Sequence, residues 1–317
     1  MLRIRMFGSF SVATDGADGE AVAISGRCAN LLAYLALGHG RFFSRSELLA
    51  SLWPERTSSS TPGSFNTALW RLRRMVERPP LKHGDLIVSD RRGAISLNGP
   101  AGVWLDVEEF KKQVSPGLSR PTESLSDADI DGLRRGVAMY KSDILLEVTD
   151  DWALREREKH RRDYLNALGR LMQVARIRRD YDEAIGYAQA ILDNDALRED
   201  VHRELMLLYV SSGQRAQALQ QFECCRELLR RELAIQPMRE TMEVYRQIAE
   251  SAIGAMASVE RDVAVMRPEG PVRARDSSRS LATPASLAEA CDLIDSTRRQ
   301  LSTADAQLQL SLRFLRQ

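Results

Sequence analysis

The stretch from residue 41 to residue 77 constrains the fold of this chain more than any other, because its helix signals follow one another in a set order. Ser44 and Glu47 have the S-x-x-E spacing of a capping box, in which a hydroxyl and a carboxylate each satisfy a free N–H group at a helix start. Pro54 predicts the end of this short helix, and a loop of small residues follows it.

A second helix is predicted directly after that loop. Thr61 and Pro62 are typical of the N-cap and the first helical position, where proline has no N–H group to lose. Pro79 and Pro80 predict the end of the helix. Four apolar residues recur at steps of four, three and four and form one stripe for burial: Phe65, Leu69, Leu72 and Val76.

The opposite side of the second helix is polar and basic. It holds Ser64, Thr67, Arg71, Arg74 and Arg78, with Trp70 at its flank. Arginine suits a DNA groove, because its planar fork can bond guanine through two hydrogen bonds or grip a phosphate. The alternative is that this face is merely the solvated side of an ordinary surface helix.

A basic hairpin is predicted soon after this helix. The β-rich runs Leu86–Val88 and Ala94–Leu97 are joined by a short loop with Arg91, Arg92 and Gly93. A basic helix followed closely by a basic hairpin is the layout of a winged helix-turn-helix.

The basic charge is concentrated in this part of the chain. Residues 61–92 contain seven basic and three acidic residues, a local charge of +4, whereas the whole chain carries only +1. The surplus therefore lies where DNA phosphates would lie, which favours DNA binding over the solvated-face interpretation.

Composition excludes several classes of protein. At 317 residues and 44% hydrophobic content, the chain is long enough for two domains with cores of their own. The N-terminus alternates apolar and basic residues, as a strand does and a signal peptide does not, and the longest apolar run, Leu31–Leu37, is too short for a membrane span. Four cysteines without C-x-x-C spacing predict reduced thiols, no metal site and a cytoplasmic location: Cys28, Cys224, Cys225 and Cys291.

Residues 1–112 are predicted to form one α+β domain. Within it, residues 1–25 indicate two or more strands with a polar turn, and a helix is expected near 27–37. The winged helix-turn-helix completes the domain, and a segment from Val103 through Phe110 closes it. Residues 113–130 are rich in proline and serine and are interpreted as a linker or loop.

Residues 131–253 are predicted to be helical repeats. The offset between Ala184 and Ala218 is the same as that between Leu171 and Leu205 in the preceding helices. It equals the tetratricopeptide period of about 34 residues, in which small residues let paired helices pack closely. The chain is therefore expected to be mainly α with a small α+β part, a winged helix-turn-helix domain followed by tetratricopeptide-like repeats.

The C-terminal part has two further predicted segments. Residues 254–284 have the composition of a flexible linker. Residues 285–317 form a heptad helix, whose apolar positions are Leu287, Ile294, Leu301, Leu308 and Leu315. Such a helix either pairs with a second copy or folds back on the repeats.

Two sets of passages resemble a known family over roughly residues 2–250. The first are LLAYLALGHGRFFSRSELLASLWP and NTALWRLRRMVE, which resemble the OmpR-type DNA-binding domain of SARP-type activators. The second, including RRDYDEAIGYAQAILDND and SSGQRAQALQQFECCRELLRRELAIQPMRET, resemble the bacterial transcriptional activator domain that follows it. There is no phosphate-cradling glycine loop, so the ATPase module of larger relatives is not expected.

The resemblance implies a cytoplasmic transcriptional regulator, commonly an activator that binds repeated elements in double-stranded promoter DNA and contacts RNA polymerase. By that pattern Arg91 and Arg92 enter the minor groove and the loop Glu55–Ser60 touches the polymerase. The full predicted DNA-binding set is Ser64, Thr67, Trp70, Arg71, Arg73, Arg74, Arg91 and Arg92. Arg73 departs from the pattern, because the helical wheel places it near the buried stripe, where a phosphate-binding or structural role fits better than base contact.

These observations favour a DNA-binding regulator whose repeats mediate homodimerisation or response to an effector, with no cofactor. The alternative is a helical-repeat adaptor that binds proteins and retains the winged helix only as an interaction fold. An enzyme is not expected, because no nucleophile, base and orienting group can be assembled around the scattered histidines. These are His39, His83, His160 and His202.

Overall fold

The computed structural model describes residues 1–14, 21–53, 61–79, 81–98 and 102–250. Several predicted segments lie outside the described residues: the turn at 15–19, the loop at 55–60, the linker 254–284 and the heptad helix 285–317 with Cys291. The N-terminal elements are β1 (Leu2–Arg5), β2 (Ser11–Thr14), α1 (Gly26–Leu37), α2 (Arg45–Leu52), α3 (Thr61–Val76), β3 (Ile87–Ser89), β4 (Ile95–Leu97) and β5 (Val103–Leu105).

Helices make up the remainder of the described chain. They are α4 (Asp106–Ser119), α5 (Asp127–Met139), α6 (Asp151–Ile177), α7 (Tyr181–Asn194), α8 (Glu199–Ser211), α9 (Arg215–Leu233) and α10, residues 239–250. The predicted fold class is confirmed: a winged helix-turn-helix precedes tetratricopeptide-like α-helical repeats, and the protein is mainly α with a small α+β part.

The N-terminal sheet has the order β2-β1-β5. β1 pairs antiparallel with β2, where Leu2 faces Thr14, and parallel with β5, where Leu2 faces Val103. Leu2 and Ile4 are buried while the arginines that follow them are exposed, which confirms the alternation seen in the sequence.

The first helix of the helix-turn-helix has only half of the predicted capping box. The Ser44 hydroxyl accepts a hydrogen bond from the Glu47 N–H group at 3.1 Å, as expected. The Glu47 carboxylate, however, accepts from the Arg41 guanidinium at 2.6 Å instead of reaching back to the Ser44 N–H. An arginine shortly before the cap is enough to redirect the carboxylate, because a charged donor binds it more strongly than a backbone amide.

The segment 113–130 is not a linker or loop throughout. α4 continues to Ser119 with Pro116 inside it, a 3-10 turn follows at Thr122–Ser124, and α5 begins at Asp127. The composition resembles that of a linker, but glycine serves a different purpose here, because it lets α4 and α5 pack closely. A Cβ on Gly117 would lie 2.7 Å from the Leu133 side chain. Close helix packing, not chain flexibility, accounts for the small residues here.

The repeats follow the predicted tetratricopeptide period. α7 begins at Tyr181 and α9 begins at Arg215, the same offset that separates Ala184 from Ala218. Both alanines are completely buried. Each therefore allows two helices to approach closely, which is how stacked repeats bury a common core.

Replacing Ala184 or Ala218 with leucine is expected to lower the free energy of unfolding by about 1–3 kcal/mol, because added methylenes overpack a filled interface. Thermal unfolding followed by circular dichroism measures the loss. Ala216→Leu is the matched control, since Ala216 is exposed on the same helix as Ala218. Unchanged stability of both buried variants would contradict the tetratricopeptide register.

One continuous hydrophobic core joins the N-terminal sheet to the first repeat helices. Phe7, just after β1, packs its ring 5.2 Å from that of Phe110 on α4 and 4.9 Å from that of Tyr140 at the end of α5. The His160 ring on α6 meets Phe7 edge-on at 5.9 Å. Burial lowers the pKa of His160, so this ring packs as a neutral group.

A buried carboxylate fixes the start of α4 against β1. Asp106 accepts hydrogen bonds from the Met6 N–H group at 2.8 Å and the Phe7 N–H group at 3.0 Å. Burial raises the pKa of Asp106, although these two bonds oppose the shift because they stabilise the carboxylate. The sheet of the winged helix and the first helix after it are therefore tied by polar as well as apolar contacts.

Candidate nucleic-acid interface

The apolar stripe of α3 sets which side of this helix faces out. All four predicted stripe residues are buried, and the Phe65 ring packs edge-on against Trp53 at 5.6 Å. The Cys28 thiol of α1 lies 3.6 Å from the Ala68 carbonyl oxygen, and burial raises the pKa of this thiol. The exposed residues on the other side are Ser64, Thr67, Trp70, Arg71, Arg74 and Arg78.

Arg71 is exposed at the centre of this outer face. Within the part of the chain that the structure describes, its guanidinium forms no hydrogen bond or ion pair. Thr67, one turn earlier, uses its hydroxyl to donate to the Gly63 carbonyl at 2.8 Å. The oxygen of Thr67 can still accept a hydrogen bond, whereas none of the Arg71 donors is used by another described residue.

Trp70 and Arg74 act as a pair on the same face. The Arg74 guanidinium lies 4.9 Å from the centre of the Trp70 ring, within range of a cation–π interaction. Trp70 is 52% exposed, which is unusual for so large an apolar side chain. An exposed indole that holds an arginine in place keeps the charge directed outward without the need for an acidic partner.

Arg73 has a different environment from the other arginines of α3. It is half-buried and donates to the Ile87 carbonyl at 2.9 Å and to the Ser89 hydroxyl at 3.0 Å. Burial lowers the pKa of Arg73. These bonds connect α3 to strand β3, which agrees with the structural role that the helical wheel favours for this residue.

The hairpin after α3, which we call the wing, consists of β3, β4 and the loop between them. Ile87 faces Leu97 in an antiparallel ladder that starts one residue later than predicted on both strands. Segment 40–43 adds to it, since Phe43 and Ile95 exchange backbone hydrogen bonds at 2.8 and 2.9 Å. The wing therefore has a third backbone segment beside it and is not an isolated ribbon.

The wing tip is shaped by Asp90. Its carboxylate accepts from the Arg92 and Ala94 N–H groups, both at 2.8 Å, and Gly93 has a positive φ of 78° that suits glycine. The side chains of Arg91 and Arg92 are exposed at this tip. Because the loop is held by its own hydrogen bonds, both cations are presented from a fixed backbone.

Glu77 and Arg45, which no sequence pattern selects, hold this arrangement together. The Glu77 carboxylate accepts from the N–H groups of Gly84, Leu86 and Ile87 at 2.9–3.1 Å and so fixes the wing to the end of α3. Arg45 at the start of α2 donates to Asn66 at 3.3 Å, and its Nε would lie 3.7 Å from a Cβ on Gly93. Nothing in the local sequence indicates that Arg45 lies beside both α3 and the wing.

The described residues contain no cluster of His, Cys, Asp and Glu side chains that could hold a metal ion. Cys28 and Cys225 are buried and Cys224 is exposed, all as free thiols. Among the helices of the described chain, none combines the length and the apolar character that a membrane span requires.

Comparison with known proteins connects the middle of the chain to one family. Residues 105–249 match the bacterial transcriptional activator domain. Regulatory protein AfsR of Streptomyces coelicolor is 28% identical over 257 residues, which cover 79% of this chain and 25% of AfsR. AfsR of Streptomyces griseus is 24% identical over 227 residues, which cover 69% of this chain and 22% of that protein. The chain thus spans about a quarter of the length of these relatives.

The fold also occurs in a solved structure. Mycobacterium tuberculosis EmbR, determined in complex with a low-affinity phosphopeptide, superposes with a TM-score of 0.64 over 84% of this chain and 70% of EmbR. Sequence identity is 16%, so this likeness concerns the fold alone. The match of the activator domain begins at residue 105, at the end of β5, and therefore includes α4. The domain limits inferred from the sequence remain predictions.

Proposed function

Because the chain belongs to the SARP-type family of bacterial transcriptional activators, we propose that it binds double-stranded promoter DNA through α3 and the wing. The observation that carries this proposal is Arg71, an exposed arginine with no hydrogen-bond partner in the described chain, on the same domain as a rigid wing tip with two further exposed arginines. The fold supplies the geometry, since a helix-turn-helix places its second helix in the major groove.

The proposed contacts divide by chemistry. Arg71 reads a base edge, because a guanidinium that no described residue binds can form two parallel bonds to guanine. Ser64 and Thr67, on the same face, offer hydroxyls to phosphates or bases. Arg74, held over Trp70, grips the backbone, and Trp70 packs against the sugar–phosphate edge. The wing-tip pair, Arg91 and Arg92, enters the minor groove.

Arg73 is proposed to position the wing and to contribute charge without reading bases. Its two hydrogen bonds to β3 leave less of its fork for a ligand than Arg71 has. Arg45 is added to the proposed interface as a phosphate contact, because it lies beside both α3 and the wing tip. A cation that lies between α3 and the wing would contact the DNA phosphate backbone that separates the major and minor grooves.

Replacing both Arg91 and Arg92 with alanine is expected to weaken DNA binding and to flatten its salt dependence by about one to two phosphate equivalents. The slope of log K against log salt concentration is the measured quantity. Arg230→Ala with Arg231→Ala is the matched control, since these are adjacent exposed arginines on α9. A slope equal to that of the unmodified protein would mean that the wing never reaches DNA.

Activation is proposed to follow from contact with RNA polymerase while the protein sits on repeated promoter elements. The segment Glu55–Ser60, between α2 and α3 in the chain, is the proposed polymerase contact by its correspondence to the family pattern. The helical repeats are proposed to respond to an effector or to hold two copies together. A cytoplasmic location is proposed on the same grounds, since promoter DNA is the proposed ligand.

We propose a homodimer, because two winged helices joined in one particle gain effective concentration on a repeated site. Sedimentation of the full chain is expected to give a dimer at micromolar concentration without DNA. Two altered proteins locate the dimer interface: one that ends at Val265, and the variant with Leu301→Glu and Leu308→Glu. A monomeric full chain contradicts the proposal. If both altered proteins remain dimers, the dimer interface lies in the repeats.

The alternative function is a protein-binding adaptor without specific DNA recognition. The stacked repeats favour this alternative, because such arrays bind extended ligands. It does not, however, account for the exposed Arg71 or for the ordered wing tip. A genome-wide map of the sites that this protein occupies separates the two. The regulator is expected to occupy a limited set of promoters that share a repeated element, and occupancy without such an element would support the adaptor.

A further inference from the structure

The repeats contain an open cavity of about 610 Å³ between α6 and α8. We call it the arginine groove, because four arginines line it: Arg170, Arg176, Arg198 and Arg203. A volume of this size is typical of ligand sites. None of these residues belongs to the proposed DNA interface, so the groove is a separate feature of the molecule.

Two of the four arginines have a hydroxyl and not a carboxylate as their partner in the described chain. Arg176 pairs with Glu204 at 3.1 Å, and Arg198 pairs with Asp200 at 2.7 Å. By contrast, Arg170 donates to the hydroxyl of Thr122 at 2.6 Å, and Arg203 donates to the hydroxyl of Thr241 at 3.1 Å. A hydroxyl is neutral and cannot compensate a positive charge, so the lining of the groove carries a surplus of two positive charges.

The hydroxyl partners also fix where these two cations lie. Thr122 and Thr241 are themselves buried, and the Thr122 hydroxyl donates onward to the Gln173 side chain at 2.8 Å. Arg170 and Arg203 are half-buried rather than freely mobile. A guanidinium that the described chain holds by one hydrogen bond has further donors for an incoming carboxylate and is preorganised to bind it.

The groove is open above α6, and buried apolar side chains lie beneath it. Met172, Ile191 and Val201 are buried side chains that line it. Gly169 on α6 also lines it, and a Cβ on Gly169 would meet no atom within 4 Å. There is therefore room over the helix for a ligand group.

We propose that the arginine groove binds an acidic peptide segment of a partner protein, whose carboxylates pair with Arg170 and Arg203. Stacked repeats present concave surfaces that suit extended ligands. Arginine pairs with carboxylates through two parallel hydrogen bonds. DNA fits less well, because Asp200 and Glu204 line the groove and would repel a row of closely spaced phosphates.

The test uses the full chain and a short fluorescent peptide in which glutamate and leucine alternate, with anisotropy as the readout. The unmodified protein is expected to bind it, and the Arg170→Gln, Arg203→Gln double variant is expected to bind about tenfold more weakly or worse, since two charge-assisted bonds are lost. Arg226→Gln, an exposed arginine of α9 outside the groove, is the control and should bind normally.

Gly169→Glu provides a second variant that leaves the arginines in place. Its side chain enters open space, so α6 should fold normally, while the added carboxylate competes with the peptide for the same cations. Peptide binding is expected to fall at least as far as in the double variant. Gly169→Ala separates the charge from the loss of glycine and should retain binding.

Four outcomes overturn the proposal: no binding to the unmodified protein, equal binding by the groove variants, equal binding of a lysine–leucine peptide, or equal competition by inorganic phosphate or duplex DNA. The last outcome would make the groove a general anion site or a nucleic-acid contact. The groove variants should keep full affinity for promoter DNA, so failure here is distinguishable from failure of the proposed DNA binding.

Discussion

Phe110→Ala is expected to lower the free energy of unfolding by about 3–5 kcal/mol, more than any other substitution proposed for this chain. Phe110 is completely buried, with its ring near those of Phe7, Tyr140 and His160. Truncation removes contacts with the N-terminal sheet, α5 and α6 at once and leaves a cavity between them. Because the core is continuous, the winged helix and the first repeat helices should lose stability together.

Denaturant unfolding followed by tryptophan fluorescence and by circular dichroism checks this result. Trp53, Trp70 and Trp104 lie in the N-terminal part and Trp152 lies on α6, so fluorescence is weighted towards the winged helix, whereas the far-ultraviolet signal is dominated by the repeats. Both probes should shift to lower denaturant by the same amount. Phe42→Ala is the matched control, because Phe42 is 45% exposed and its loss should be small. Separate transitions, with only one shifted, would contradict a shared core.

Arg71→Ala is expected to cost about 1–3 kcal/mol of binding free energy on the preferred duplex while leaving stability unchanged. The side chain is exposed and forms no hydrogen bond within the described chain, so its removal takes little from the fold. Arg73→Ala is expected to behave differently. It would also loosen the wing, because its guanidinium holds Ile87 and Ser89.

Competition binding with preferred and scrambled duplexes distinguishes the possible roles of Arg71. The predicted result is a large loss on the preferred duplex and a small one on the scrambled duplex. Equal loss on both would make Arg71 a phosphate contact, and no loss on either would mean that another face of the molecule meets DNA. Arg226→Ala, an exposed arginine on α9, is the control.

Periodicity makes much of this fold predictable. The four-three-four spacing of apolar residues on α3 determines its buried stripe, and therefore which arginines are exposed. The tetratricopeptide offset locates the paired helices of the repeats, because the same small residue is needed wherever two such helices approach. The glycine and the β-rich runs of the wing are likewise enough to predict a hairpin to within one residue at each strand.

The contacts that could not be predicted join residues that are far apart in the sequence. Arg45 lies beside the wing tip although it is far from Gly93 in the sequence, and no local pattern encodes that proximity. Glu77 binds three backbone amides, and because every residue type except proline has such an amide, no sequence pattern marks these partners. The composition of segment 113–130 indicates a linker, because glycine and proline are common in loops. Only the position of the partner helix shows that they belong to a closely packed helix.

The joining of the two parts was also beyond local reasoning. Phe7 and Phe110 both belong to the segment predicted as one α+β domain, which could bury them on its own. Only the three-dimensional arrangement brings them together with Tyr140. A shared core has a functional consequence. A ligand or partner that alters the packing of α6 acts on a body that includes the proposed DNA-binding surface.

Specific DNA binding is tested most directly by the affinity of the full chain for a promoter element from the genome-wide map and for a scrambled duplex, measured by filter binding over a salt series. We predict tighter binding to the element by about 10³-fold or more, with both affinities falling as salt rises. Binding at background level, or equal binding to both duplexes at every salt concentration, would contradict the proposed function.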